Sequence, residues 1–420
     1  MQRRRSEELA TNDRAYVSGE NAMLRFALLL GASVSIAMMP SAMAQEQPFK
    51  IGVSNDQSGP YADQGGPGSA LAARMAVEDF GGKVLGRTIE VVVADNQNKP
   101  DLASQIARRF FEVEGVSAIT DGGTSAAGLA AQSMATQLNK TMLNTAGTAP
   151  GFSGALCSPS GTQWATSSYA LANTVVKDLV REGGKKWFFV TTDSAFGNAL
   201  EPETVKAIKA AGGTTLGSVK HPINTADFSS FLLQAQGSGA DVVALAVGGS
   251  DLITAMKQAK EFAIPGRMVA LYVSQPEVDS MGADTAQGLH FATPFYWNLN
   301  ETTRAWSKRF VERHKKMPSM IHANTYVAVT HYLKAVAAVG SDKGADVVAK
   351  MKEMPIGDKA LIQNASIKDN GRVVMDMYVA RAKKPGAATM PGDSFEIVGT
   401  VPASEAFEDI ALSGCPLIKN

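Results

Sequence analysis

Two turns built from glycine and small hydroxyl residues hold the residues of this chain best suited to chemistry. They are Gly122-Gly123-Thr124-Ser125 and Thr145-Ala146-Gly147-Thr148. Each follows a short apolar run suited to a buried parallel strand, 116–120 before the first and 141–144 before the second. The paired glycines allow a sharp bend. Thr124 or Ser125 then stands where an N-cap belongs, ahead of an alanine-rich helix that ends near Asn139. Strand, helix and strand in that order bring both turns to the same sheet edge, where ligands of open α/β sheets bind. Free backbone N–H groups at a helix start, with hydroxyls beside them, suit a small anion such as a carboxylate. A well-capped βαβ unit without a ligand accounts for the stretch equally well.

Patterns of catalysis fail one by one. Gly123-Thr124-Ser125-Ala126-Ala127 misses the nucleophile elbow, which needs glycine where Ala127 stands. Gly66-Pro67-Gly68 lacks the third glycine of a dinucleotide fingerprint, and no Walker A sequence occurs. His221, His290, His314, His322 and His331 show no metal-ligand spacing with acidic neighbours, so each reads as a packing or surface residue. Lys+Arg and Asp+Glu both number 40, a balance that argues against the basic surface a nucleic-acid partner requires. No cofactor is implied.

The elements that must position the two turns alternate along the whole chain. Strands at 49–53, 88–94, 116–120 and 141–144 are separated by helices at 69–80, 100–114 and 124–139. A second series begins after a Ser/Gly/Pro-rich break at 157–164. It places strands at 187–191, 215–219, 241–247, 268–273 and 289–294, with helices between them and Thr225-Ala226-Asp227-Phe228 capping one. Three amphipathic helices follow at 302–315, 324–339 and 343–354, then a hairpin turn at Asp369-Asn370-Gly371-Arg372 between strands, with 373–382 and 395–401 closing the series. This rhythm predicts parallel sheets covered on both faces. A length of 420 residues fits two domains or one large one.

The first 44 residues read as an N-terminal extension and a signal peptide. Met23-Leu24-Arg25 opens a basic start, 26–39 is an apolar run of h-region length, and Ser41-Ala42-Met43-Ala44 supplies small residues for cleavage after Ala44. Met23 is then the expected true start, with Met1 as the alternative. The mature protein is expected to be exported to the periplasm. Cys157 and Cys415 are the two cysteines of the chain. In an oxidising compartment such a pair predicts a disulfide, worth roughly 4–5 kcal/mol by chain-entropy arguments for a loop this long.

In this order and spacing the residues resemble the periplasmic substrate-binding proteins of ABC transporters, in the branch that includes the leucine/isoleucine/valine and amide binders. The resemblance covers essentially 48–420. It rests on Lys50-Ile51-Gly52-Val53 with Ser58-Gly59-Pro60, on Thr124-Ser125 before the alanine-rich helix, and on Ala146-Gly147-Thr148-Ala149-Pro150. Asp193-Ser194-Ala195-Phe196-Gly197, Thr225-Ala226-Asp227-Phe228 and Ala286-Gln287-Gly288-Leu289 extend it. It implies a two-lobed type I binding-protein fold, each lobe a mostly parallel α/β sheet flanked by helices, joined by three crossings and closing by hinge motion. Lobe 1 would hold 48–165 and 297–356; lobe 2 would hold 166–296 and 357–420, with the tail returning to the hinge. A monomer is implied, not an enzyme, delivering a small carboxylate to membrane permease subunits.

Position by position, the resemblance assigns Ser125, Ala146 and Thr148 to the ligand's carboxylate. Phe196 stands where such binders place a tyrosine, and Gln64 where a tryptophan flanks the side-chain pocket. Tyr61 and Thr124 complete the expected site. The acidic partner of an amino group should fall within 272–277, with Glu277, Tyr272 or Ser274 in that place. The missing tyrosine and tryptophan set an aromatic or other non-amino carboxylate, or an amide, beside an amino acid as the expected ligand. An exported hydrolase and a receptor sensor lobe are the rival functions.

Overall fold

The computed structural model describes residues 47–357 and 360–418. The expected leader and its cleavage site after Ala44 lie outside the described residues. No helix among the described residues is long and apolar enough to cross a membrane.

The first lobe opens with β1 (Phe49–Asn55), buried along nearly its whole length as a central parallel strand must be. There follow α1 (Gly66–Phe80), β2 (Lys83–Val84), β3 (Arg87–Asp95), α2 (Pro100–Glu112), β4 (Val116–Asp121), α3 (Ser125–Gln137), β5 (Thr141–Asn144) and β6 (Gly161–Gln163). Pro100 sits in the first turn of α2, where a missing N–H breaks no helical bond. The sheet runs β2-β3-β1-β4-β5-β6, parallel except where β2 meets β3. From β1 the chain steps outward to β3 on one side, then returns across to β4 on the other. The loops after β1 and β4 therefore diverge, and a crevice opens between them.

The second lobe repeats the plan. It contains α4 (Ser168–Arg181), β7 (Lys186–Thr192), α5 (Ala195–Ala210), β8 (Thr214–His221), α6 (Ser229–Gly237), β9 (Val242–Ala246), α7 (Gly249–Glu261), β10 (Arg267–Ala270), α8 (Gln275–Met281), α9 (Ala283–Ala286) and β11 (His290–Thr293). The chain then returns to the first lobe with α10 (Glu301–His314), α11 (Met320–Val339) and α12 (Gly344–Glu353). Helix α11 is apolar around most of its girth because it lies buried between α1 and the sheet. A small hairpin, β12 (Ser366–Ile367) with β13 (Val373–Val374), precedes a last passage back to the second lobe. There β14 (Met377–Ala382) and β15 (Phe395–Val401) add antiparallel strands. The second sheet is ordered β15-β14-β11-β10-β9-β7-β8, with its own reversal between β7 and β9.

Several boundaries differ from expectation. The last passage between lobes falls at Met375–Asp376 rather than before 357. Residues 360–374 stay with the first lobe: Gly371 O accepts from Gln163 N at 2.8 Å, and Arg372 Nε donates to Ser153 Oγ at 2.8 Å. The strand expected over 373–382 is split there for the same reason. β10 stops at Ala270 instead of 273, freeing Tyr272 to turn over the sheet edge. Asp227 braces the start of α6 by accepting from Ser229 N at 2.9 Å, but the helix itself begins at Ser229. The tail crosses back to the first lobe, where Cys415 is bonded to Cys157 with their Cα atoms 5.7 Å apart.

Candidate ligand-binding cleft

The carboxyl ends of both sheets converge on one cavity of about 230 Å³. Its first wall is the pair of turns singled out by the sequence. Thr124 is the N-cap of α3, its hydroxyl accepting from Ala127 N at 3.5 Å. Ser125 is thereby left to face the neighbouring loop. Its Oγ accepts from the backbone N–H groups of Thr148 and Ala149, both at 3.2 Å, which leaves its own proton to donate. The Thr148 hydroxyl is buried and has no partner among the described residues. Among the described residues the Ala146 N–H has no acceptor either. Three donors thus meet at the start of a 13-residue helix whose dipole favours negative charge.

Opposite this wall, the second lobe contributes Phe196 from the start of α5 and Tyr272 from the loop after β10. Their rings meet edge to face with centroids 5.5 Å apart. Tyr61, from the first lobe, adds a third ring beside Gly248 and Gly249. Burial raises the Tyr61 phenol above its ordinary value, and the carboxylates of Asp251, Glu277 and Asp56 push the same way. Burial does the same to Tyr272, with Glu277, Asp121 and Tyr61 adding to it. Both phenols stay protonated and available as donors.

A third wall is polar and, apart from Gln64, was not foreseen from the sequence. It consists of Asn55 and Asp56 at the end of β1, Asn98 beyond β3, Asp121 at the end of β4, and Gln64 at the entry to α1. Asp121 is fully buried, with φ at 77°. It accepts from Asn55 Nδ2 at 2.7 Å and Gly123 N at 3.0 Å. Burial raises its carboxyl above the usual range, with the bonds from Ser69, Asn55 and Gly123 pulling back. Asp56 braces its own loop, accepting from Gly59 N, Tyr61 N and Asn98 Nδ2. Among the described residues, no Lys, Arg or His lines the cavity.

Helix α11 fixes the entry to α1. Ser319 Oγ donates to Gln64 O, and His322 Nε2 bonds Gly65 O at 2.8 Å. His322 Nδ1 accepts from Ser319 N, so the ring is neutral with its proton on Nε2. Burial pushes its pKa down to about 3, consistent with that form. His322 is the packing histidine that its spacing suggested, with a specific task at the rim of the cleft.

Glu277 lies behind the cavity surface. Its oxygens accept from Gly249 N at 2.6 Å, Ser274 N at 2.7 Å and Ser274 Oγ at 2.8 Å, closing a capping box on α8. Burial pushes its pKa up to about 7, against the hydrogen bonds from Ser274 and Gly249 and the nearby amide of Gln64. Gln64 Nε2 lies near this carboxylate without forming a hydrogen bond of normal geometry.

The structure therefore gathers Tyr61, Gln64, Thr124, Ser125, Ala146, Thr148, Phe196 and Tyr272 around one cavity, with Glu277 one layer behind. Asn55, Asp56, Asn98 and Asp121 join them. The sequence signal for these was that each ends or follows a strand aimed at the same edge.

Comparisons with known proteins agree with this architecture. The family profile of periplasmic binding proteins matches residues 48–387. A solved periplasmic binding protein from Burkholderia mallei is 41% identical, covering 89% of this chain and 100% of that one, with a TM-score of 0.85. A branched chain amino acid ABC transporter periplasmic ligand-binding protein from Burkholderia xenovorans LB400 is 37% identical over 88% and 99% of the two chains, with a TM-score of 0.79. A Leu/Ile/Val-binding protein homolog from Brucella suis is 27% identical over 357 residues, 79% of this chain and 87% of the relative. With two lobes of type I topology closing on one cavity, this chain belongs to the periplasmic binding proteins of ABC transporters, in the branched-chain amino-acid-binding branch.

Proposed function

We propose that this chain captures a small organic carboxylate between its lobes in the periplasm and delivers it to the permease of an importer, with an amino acid as the first ligand class. The observation that carries the reading is the donor set of Ser125, Ala146 and Thr148 at the N-terminus of α3. It includes a buried Thr148 hydroxyl with no partner among the described residues. Relatives named for branched-chain amino acids support an amino-acid ligand. Export through the leader ending at Ala44 is part of the same reading.

A second reading, an aromatic or other non-amino carboxylate, is favoured by one observation. Glu277, the expected partner of an ammonium group, already accepts from Gly249 and Ser274 and does not line the cavity. Tyr61, Phe196 and Tyr272 would flank a flat body.

Thermal unfolding of the mature chain against a panel of amino acids, aromatic acids and amides tests both. A true ligand at a hundred times its dissociation constant stabilises by about 2.7 kcal/mol. Stabilisation by carboxylates, with no turnover of them, supports capture. Stabilisation confined to ligands lacking a carboxylate would remove the reading.

A further inference from the structure

The turn that carries Ala146 and Thr148 is held from behind by Gln163, a buried residue at the end of β6 that does not itself line the cavity. Its Nε2 donates to Gly147 O and Ala149 O, both at 3.2 Å. Asn144 Nδ2 gives Gly147 O a second donor at 2.7 Å. The Gly147 carbonyl shares a rigid peptide plane with the Thr148 N–H, which donates to Ser125 Oγ at 3.2 Å. The following plane is held in the same way. Thr148 O accepts from Ser168 N at 3.0 Å, and Ala149 N donates to Ser125 Oγ at 3.2 Å. The planes on either side of Thr148 are thus pinned at both ends, which fixes the direction in which its side chain leaves the backbone. That side chain carries the buried hydroxyl with no partner among the described residues.

The orientation of the Gln163 amide is dictated from further away. Arg372, 3% exposed, donates from Nε to Ser153 Oγ at 2.8 Å, and a guanidinium has no acceptor to offer in return. Ser153 Oγ therefore accepts there and sends its own proton to Gln163 Oε1, 2.7 Å away. With Oε1 facing Ser153, the amide NH2 faces the carbonyls of Gly147 and Ala149, which can only accept. The donors all point the same way along this chain, so each bond polarises the next. The hairpin tip seats both middle members: Asn370 Nδ2 donates to Ser153 O at 2.9 Å, and Gln163 N donates to Gly371 O at 2.8 Å. Gly371 has φ at 81°, and a Cβ there would lie 2.5 Å from Gly161 O, so the seat requires glycine.

We propose that Gln163 is the positioning residue of the ligand anchor, set in its orientation by Arg372 through Ser153. This rests on the capture of a carboxylate at Ser125 and Thr148 and goes beyond it by assigning the groups that aim that pair. Arg372 lies just before the passage at Met375–Asp376, so the anchor of the first lobe is tied to the segment from which the chain leaves for the second.

The test pairs hydrogen exchange with titration on the mature chain. Without ligand, the Thr148 and Ala149 amides should exchange about tenfold or more faster in Gln163→Met and in Ser153→Ala than in wild type. Strand β9 (Val242–Ala246), in the second lobe, should exchange as before. Isothermal titration with L-leucine and with benzoate then reads the anchor. Gln163→Met should weaken the acid that binds by about tenfold, but by less than about twofold in a Thr148→Val background, where the hydroxyl to be aimed is already gone. Unchanged exchange in both variants overturns the proposal, and being read without ligand it decides even if neither acid binds. An affinity loss as large in the Thr148→Val background overturns it too, because Gln163 would then act on the fold at large. Unchanged exchange beside a carboxylate affinity that Thr148→Val weakens would spare the carboxylate reading and overturn only this one. Carboxylate binding indifferent to both Thr148→Val and Ser125→Ala would remove the two together.

Discussion

The backbone N–H of Ser250, in the first turn of α7, donates to the carbonyl of Pro60 at 3.1 Å, tying the second lobe to the first across the mouth of the cleft. This approach depends on Gly249, which has φ at 68°. A Cβ there would lie 2.5 Å from Pro60 O and 2.8 Å from the Tyr61 ring. Gly249→Ala should therefore hold the lobes apart, giving a larger radius of gyration by small-angle scattering at saturating ligand. The affinity should fall about tenfold or more, near 1.4 kcal/mol. Gly237→Ala, where a Cβ meets nothing within 4 Å, is the control and should change neither.

Ser125 and Thr148 should separate binding from stability. Ser125→Ala removes the acceptor for two buried N–H groups, so it should lower stability by about 1–3 kcal/mol as well as weaken binding. The Thr148 hydroxyl has no partner among the described residues. Thr148→Val should thus weaken carboxylate binding by about tenfold and leave unfolding by urea unchanged or slightly harder. Equal stability losses in the two variants would contradict these roles.

Glu277 should give folding a pH dependence of definite sign. Its pKa is raised from 4.5 to about 7 in the folded chain, so the folded state holds the proton more tightly than the unfolded state. Stability from this group is complete below about 4.5 and is lost as pH rises to about 7. Urea unfolding of wild type between pH 4.5 and 8 should show that decline relative to Glu277→Gln, which cannot ionise. Parallel profiles for the two proteins would exclude the buried carboxyl as the cause.

The Cys157–Cys415 bond joins the tail to the first lobe across 258 residues of sequence. Alkylation without reductant should label no thiol in the exported protein. Cys415→Ser should lower stability by up to roughly 4–5 kcal/mol, the chain-entropy value for so long a loop. It should leave the site residues Ser125 and Thr148 able to bind. A variant as stable as wild type would mean that the tail is held by its other contacts alone.

The alternation of strands and helices, the N-cap at Thr124, the two turns at Ser125 and Thr148 and the pairing of the cysteines were all legible in the chain itself. The first three are local: glycine freedom, capping by a hydroxyl and the spacing of apolar residues act over a few neighbours. The tertiary structure decided the rest. Asn55 and Asp121 stand 66 residues apart, yet bond directly because β1 and β4 are neighbours in the sheet. The same holds for Gln64, fixed at the rim by Ser319 255 residues away. Glu277 could be named from sequence, but its enclosure by Gly249 and Ser274 could not, since a carboxylate's surroundings depend on which distant loops fold over it. Residues 360–374 remain with the first lobe because Gly371 meets Gln163, a long-range backbone bond that no local pattern records. Local propensity thus wrote the elements and the two turns that line one wall of the cavity, while the order of strands in two sheets determined which polar groups share it.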